Sequence, residues 1–484
     1  MLAVVVAITW VLTALAAGPA LAAGPERPPD GARPERPPDG TRPWDRWRRP
    51  QPQPQTPQPP EKVEPPAPVI DPSLLEDQPK PPEEPKRKTC LSIKDQAFLI
   101  NDKPTYPGRV FRPQRSDEHR VDARRTDDRR SDDSRTEERV EFKIEGLLFC
   151  GRMVNGIFDD LNPETRSRWA YADGPWDAER NTRDFIQAMP AWRYHGLQAI
   201  TLNLQGGDPT GSSVVQPWDN SAYTRDGRLR ADYMKRLEVI LDKADEIGLV
   251  VILGLFDAGQ DQRVWDERSV LVAVDNAVDW LLERKYTHVL VEVADACDSR
   301  QYNHKILTDA RVHEAVARVA KRSEGRVASP AGRLLVGASM AGGSLPPTEL
   351  LREADVALLQ GLGVDEPDRI RRMVQHTRGR MGASLKPILF TADDHGGFDQ
   401  PDNNMVAAVT EYAGYGFADW RREGESFHQG FQSLPVDWGI NSLRKYGFFR
   451  LLALTVRREP PPMGQYIREE LRDRQRAERE ARSE

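Results

Sequence analysis

Cysteine is scarce in this chain. There are three in 484 residues: Cys90, Cys150 and Cys297. An odd, sparse set builds no disulfide framework, so the fold must be held by its core, and the three thiols read as small buried apolar groups. An excess of either charge is also missing. The chain has 69 basic and 75 acidic residues, a formal net charge of −6. Nucleic-acid binding calls for a basic face, and that class is excluded, as is a polybasic membrane signal. No Gly-rich phosphate turn follows the first apolar run, and no paired Cys or His spacing of a metal site occurs. No Gly-x-Ser-x-Gly elbow surrounds Ser339. Neither a cofactor nor a metal is therefore expected. Asp393, Asp394 and His395, with Asp257 or Asp298 nearby, offer the right ligand types for a divalent ion, but without supporting spacing they read as loop structure.

The N-terminus does contain an uncharged apolar run, Leu2 to Ala17, followed by the small-x-small pattern Ala20, Leu21, Ala22. Residues 1–22 read as a signal peptide, although no Lys or Arg precedes the run. The run is shorter than a membrane span needs and Pro19 follows it, so export is expected, to the secreted or periplasmic, cell-envelope space. Membrane attachment would require the signal to stay uncleaved. Residues 23–87 form a stem. Of the 40 prolines, 21 lie between Pro25 and Pro85, and a nine-residue unit at Pro25–Arg33 repeats at Pro34–Arg42. Such composition buries too little apolar surface to offset its ordering entropy, and polyproline spacing makes it a stiff, disordered tether.

Residues 88–456 carry the folded domain. Leu91–Ile93 and Phe98–Ile100 flank turn residues and predict an N-terminal β-hairpin. Residues 115–139 form an insertion in which 17 of 25 residues are Asp, Glu or Arg, a solvated tract. Eight short apolar runs follow, at residues 146–154, 199–204, 250–256, 288–293, 334–338, 356–360, 387–390 and 416–420. Segments of helical period lie between them, at 181–194, 231–247, 266–283, 309–320, 366–377, 403–412 and 441–454. The strands are continuously apolar, as in a parallel sheet covered on both faces. Eight strands alternating with helices over about 310 residues predict an α/β fold of the (β/α)8 TIM-barrel type. A doubly wound open sheet is the alternative. Residues 457–484, beyond Pro460–Pro462, alternate Glu and Arg at helical spacing and predict a solvated helix or tail.

In such barrels chemistry sits at the carboxyl ends of the strands. Those ends present Asn155, Asn203 and Gln205, Asp257 with Gln260, Asp295, Ser339, Gln360, Asp393 to His395, and Trp420. The stretch from Phe98 to Thr105, and the segment His195 to Ile200 leading into the second strand, resemble the cellulase-like glycoside hydrolases of the large retaining clan. The resemblance spans roughly Cys90 to Leu454 and rests on the order and spacing of weak motifs. It implies a catalytic acid/base Glu ending strand 4 in Glu-x-x-Asn-Glu, and a nucleophilic Glu ending strand 7. On this chain the first motif is Glu292 to Ala296, with Asp295 at the Asn position, and the second runs from Pro387 to Ala392. Both catalytic positions are then Ala, at Ala296 and Ala392. Gln360 stands where the clan often has His or Tyr, and Thr201 near its usual Arg.

Retaining hydrolysis needs two carboxyl groups about 5–5.5 Å apart, and a methyl group replaces neither. Two candidate substitutes lie one residue away, Asp295 and Asp393, although a one-residue shift in a strand turns a side chain to the opposite face. The sequence thus predicts a barrel that has lost hydrolysis and binds a polysaccharide, an oligosaccharide or a cell-envelope partner in the former cleft. Asn155, Asn203, Gln205, Asp257, Gln260, Gln360, His395, Trp218 and Trp420 are the expected contacts. Trp169, Trp176, Tyr223 and Trp438 are further aromatic platforms or core. The alternatives are an active glycosidase using Asp295 and Asp393, and a structural or assembly protein working through stem, insertion and tail.

Overall fold

The computed structural model describes residues 86–113, 140–207, 209–210 and 216–483. The expected signal peptide, the stem up to residue 85 and the charged insertion lie outside the described residues. The chain opens with an antiparallel unit in which β1 (Leu91–Lys94), β2 (Ala97–Ile100) and β3 (Lys103–Pro104) pair in order. The hairpin is thus present, with one more short strand than expected. A two-stranded ribbon, β4 (Val110–Phe111) with β5 (Phe142–Lys143), brackets the insertion.

Strands and helices then alternate. They are β6 (Phe149–Arg152), α1 (Ala178–Tyr194), β7 (Ala199–Asn203), α2 (Ala231–Ile247), β8 (Val250–Asp257), α3 (Glu267–Glu283), β9 (Val289–Asp295) and α4 (Val312–Ser323). The second half comprises β10 (Leu335–Gly337), α5 (Thr348–Glu353), β11 (Ala357–Gln360), α6 (Pro367–Met381), β12 (Ile388–Ala392), α7 (Asn404–Thr410), β13 (Tyr415–Phe417) and α8 (Leu443–Thr455). Helix α5, six residues long, has too little sequence for its period to be recognised.

Six strands form one parallel sheet in the order β10-β9-β8-β7-β6-β13, and β11 pairs in parallel with β12. Single parallel bridges join that pair to the sheet on both sides. Ser339 meets Leu358 at one seam; Leu389 meets Gly414 and Asp393 meets Phe417 at the other. The eight strands therefore succeed one another in a (β/α)8 barrel whose ladders thin to single bridges at two seams. The flanking strands there, β10 and β13, have three residues each.

Two cores follow from this arrangement. Inside the barrel, Leu148, Cys150, Ala199, Val250, Ile252, Leu290, Leu335, Val356, Leu358 and Leu389 pack together. Leu91 and Phe98 of the hairpin join them and plug the amino-terminal end. Outside, the strands' other faces and the helices share a larger core. Asp177, Asp266, Asn403 and Ser442 cap α1, α3, α7 and α8 by accepting from backbone amides of the first turn. Gly248, at φ 76, closes α2 in the left-handed region.

The expected charged tail is the helix α9 (Gln465–Ser483). It is not wholly solvated. Ile467 is fully buried, and the Tyr466 ring lies 3.8 Å from that of His428. Glu470 accepts from the amide of Leu443 at 2.9 Å, tying the tail to the start of α8. Among the described residues no helix is long and apolar enough to cross a membrane.

Candidate functional site

Higher in the barrel the interior turns polar. Arg152, Thr201, Asn203, Glu292, Ser339 and Gln360 are all buried at or near the strands' carboxyl ends. One register row across the sheet runs Asn203, Gly254, Glu292, Gly337. The two glycines flank Glu292 in this row. A Cβ on Gly254 would lie 2.3 Å from Oδ1 of Asn203, so that amide occupies the space a larger residue would take.

Above this row opens a cleft of about 140 Å³, lined by Arg152, Gln216, Asp257, Ala258, Asp295, Ala296, Ser299, Gln301, Gln360, Leu362 and Trp420. Its floor is a fixed network. Asp295 is ion-paired with Arg152 and accepts from the Gln360 amide, and the Ser339 hydroxyl donates to it at 3.3 Å. Nε of Arg152 donates to Gln432 at 2.9 Å. Burial works against the Arg152 charge, but Asp295, Glu292 and Asp257 together outweigh it and hold the guanidinium firmly protonated. Nη1 of Arg152 is buried with no hydrogen-bond partner.

Glu292 sits beneath this network. It is fully buried, and neither carboxyl oxygen makes a hydrogen bond of good geometry. Burial, and then the charge of Asp295, push its pKa up to about 8 against the pull of Ser339 and Arg152. It is thus a carboxylic acid that keeps its proton at neutral pH. Ionised at the higher pH where thiols titrate, it also helps to raise Cys150 and Cys297, after their own burial.

The expected contacts divide. Asp257, Asp295, Gln360 and Trp420 line the cleft together. Asn155 is buried beside it, donating to the carbonyls of Gly207 and Gln432. Asn203 belongs to the polar row below. Gln205 donates to Ser221. Gln260 bonds Gln216, the Trp218 carbonyl and the Asn220 amide, so it braces the loop that carries a lining residue. Trp218 is core: 2% exposed, it packs edge-on to Trp169 at 5.6 Å. Trp169 and Trp176 donate to the adjacent carboxylates of Asp160 and Asp159, Tyr223 stacks on Phe256, and Trp438 donates to Asn181. Of the aromatic platforms considered, Trp420 is the cleft residue.

Asp393 is not brought to Asp295. Its carboxylate accepts from Asn404 of α7 at 2.8 Å, from the Tyr415 hydroxyl at 2.8 Å and from the His395 amide at 3.0 Å. Tyr415 in turn packs on Phe448 of α8, so Asp393 faces the layer between barrel and helices. The cause is local: the register of β12 against β11 shifts between Leu359 and Gln360, with Gln360 opposite Ala392. Burial raises the Asp393 pKa against these hydrogen bonds. His395 goes with it, away from the cleft; Asp393 leads the carboxylates that push the imidazole up to about 9. Ala296 lines the cleft in a left-handed backbone at φ 50, its amide donating to Ser339 at 3.0 Å. Ala392 is fully buried.

Arg152, Gln216, Ser299, Gln301 and the buried Glu292 were not among the expected site residues. Arg152 and Glu292 do carry a signal in the sequence, each being a charge inside an apolar strand run; the loop residues carry none. Among the described residues, no group of three or more His, Cys, Asp or Glu side chains is placed to hold a metal ion.

No family model and no curated protein matches the chain. Solved structures with a similar trace include an endo-1,4-beta-mannanase from Rhizomucor miehei, at 10% identity and TM-score 0.41, covering 68% of this chain and 90% of that one. A broad-specificity endoglucanase from Clostridium longisporum gives 9% and 0.42, covering 64% and 95%. A glycoside hydrolase family 5 enzyme from Prevotella bryantii B14 gives 9% and 0.39, covering 64% and 96%. Likeness at this level carries no chemistry across, and the site is argued from its own residues.

Proposed function

We propose that this protein binds a carbohydrate in the cleft at the barrel mouth and does not hydrolyse it. The observation that carries the reading is the lining itself. Gln216, Gln301, Gln360, Ser299 and the two acids Asp257 and Asp295 line the cleft together with Trp420. Amides and carboxylates pair with vicinal hydroxyls, and an aromatic face suits the C–H face of a pyranose. The volume of about 140 Å³ matches one six-membered ring, since a cavity of roughly 150 Å³ takes up benzene.

Hydrolysis is absent from this proposal because the carboxyl groups are wrongly disposed. A retaining site needs a free acid and a free nucleophile facing one bond. Asp295 is anchored by donors from β6, β11 and Ser339, two residues beyond β10. Asp393 faces the helices. Glu292 holds a proton but is sealed below the floor. The methyl group of Ala296 stands at the position where the resemblance implies an acid.

The test is titration of the full chain with neutral and charged oligosaccharides, with reducing ends assayed in the same samples. Saturable binding without release of reducing ends supports the proposal. Release that is abolished by Asp295→Asn and Asp393→Asn would restore the active-glycosidase alternative.

A further inference from the structure

We infer that the cleft selects an N-acetylated sugar, one carrying an acetamido group as in an N-acetylglucosamine unit, over sugars that bear only hydroxyl, ammonium or carboxylate groups. The inference rests on the proposal that the cleft binds carbohydrate and names the class of sugar. It starts from Asp295, whose two oxygens are held from different strands. Oδ2 is paired with Nη2 of Arg152 on β6, and Oδ1 accepts from Nε2 of Gln360 on β11. Each of these two partners has one polar atom left over. Arg152 gives Nε to Gln432 and Nη2 to Asp295, and its Nη1 has no hydrogen bond. Gln360 gives Nε2 to Asp295 and to Ser339, and its Oε1 has none. Both residues line the cleft, at 5% and 2% exposure. An unmatched donor and an unmatched acceptor therefore stand on the two sides of one carboxylate, each fixed by its bond to it.

A secondary amide is the complement of such a pair. Its carbonyl accepts and its N–H donates, on opposite edges of one planar trans unit. The acetamido oxygen meets Nη1 of Arg152, and the acetamido N–H meets Oε1 of Gln360. The acetyl methyl also finds carbon neighbours, since Ala258, Ala296 and Leu362 are half-buried in the same lining, and the sugar ring lies against Trp420. Other substituents match one atom of the pair and leave the second unmet, which is costly for a buried polar group. A carboxylate only accepts: it would oppose Oε1 of Gln360 and set a like charge beside Asp295. An ammonium only donates, and it would meet the guanidinium with a like charge. A hydroxyl donates and accepts from a single oxygen, so it does not span the pair, and it brings no methyl group.

The experiment compares tetramers of N-acetylglucosamine, glucosamine, glucose and galacturonate as ligands of the full chain by calorimetry, at about pH 6, where amines are protonated. The N-acetylglucosamine tetramer is expected to bind at least about tenfold more tightly than each of the other three. Gln360→Met removes the acceptor, and Leu362→Ser removes a carbon neighbour of the methyl group; each should lower the ratio between the acetylated and glucose tetramers. Gln360 also holds Asp295, so Leu362→Ser, on a half-buried loop position, carries the test if the first variant does not fold. Equal or tighter binding of any of the other three tetramers, or a ratio unchanged in Leu362→Ser, overturns the inference and leaves the carbohydrate proposal standing. Binding of none of the four overturns both.

Discussion

At the scale of single residues the molecule is organised by charges in places that disfavour them. Glu292 has a folded-state pKa raised to about 8 by burial and by Asp295. Between the ordinary carboxylate range and that value the folded chain holds a proton the unfolded chain has lost, so stability falls as pH rises through this window. Glu292→Gln removes that slope. The variant is expected to exceed the parent in stability at about pH 8, by on the order of a few kcal/mol, and to match it at about pH 4; urea denaturation at both pH values measures this, and parallel curves would refute it. His288 has the opposite sign. It is fully buried, and its pKa is lowered to about 4 by burial, with Asp245 pulling the other way. The folded state resists a proton that the unfolded state accepts, so His288 destabilises the fold as pH drops from about 6.5 through about 4. His288→Phe should flatten this acid-side loss in the same measurement.

Arg152 is the third such residue. Removing it leaves the Asp295 carboxylate buried without a countercharge, and Arg152→Ala is expected to cost about 3–5 kcal/mol. Arg152→Met combined with Asp295→Leu should recover much of that loss, because the unpaired charge disappears with its partner. A double variant no more stable than Arg152→Ala would mean that the pair contributes through packing and not through charge.

At the scale of elements, the hairpin is a structural part of the barrel. Phe98 is 1% exposed and joins Leu91 and the inward residues of seven strands. Phe98→Ala should therefore cost about 3–5 kcal/mol in a denaturation midpoint, as for a barrel-core position; a surface hairpin would lose almost nothing. The sequence announced these elements well because the apolar runs are uninterrupted and the helices carry a regular period. Helix α2 was legible to its ends, since Ala231 begins the amphipathic pattern and Gly248 stops it. The site was less legible. Asp393 looked equivalent to Asp295, both being acids at strand ends, until the register shift in β12 turned one to the helices. No local pattern marks such a shift. The tryptophans misled for a related reason: Trp169, Trp176 and Trp438 occur in loops, yet each finds a buried polar partner for its ring N–H, which makes an aromatic loop residue a core residue.

At the scale of the whole molecule, the barrel interior is divided along its axis. The amino-terminal half is apolar and plugged by the hairpin; the carboxyl-terminal half is polar and opens to the cleft. That division follows from where Arg152, Asn203, Glu292 and Gln360 fall in their strands, and it leaves the charged cleft at the end where the loops can vary without disturbing the core. Stability and binding are then separable, the first lying in the layers below and around the floor and the second in a few residues above it. The central claim is that these residues bind sugar without cleaving it. The most direct measurement is calorimetric titration of the full chain with neutral and charged oligosaccharides, run with the parent and with Trp420→Ala, followed by an assay of reducing ends. The account predicts one saturable site in the parent, a loss of at least about tenfold in affinity for the variant, and no reducing ends from either. Unchanged affinity in Trp420→Ala, or accumulation of reducing ends with the parent, would contradict it.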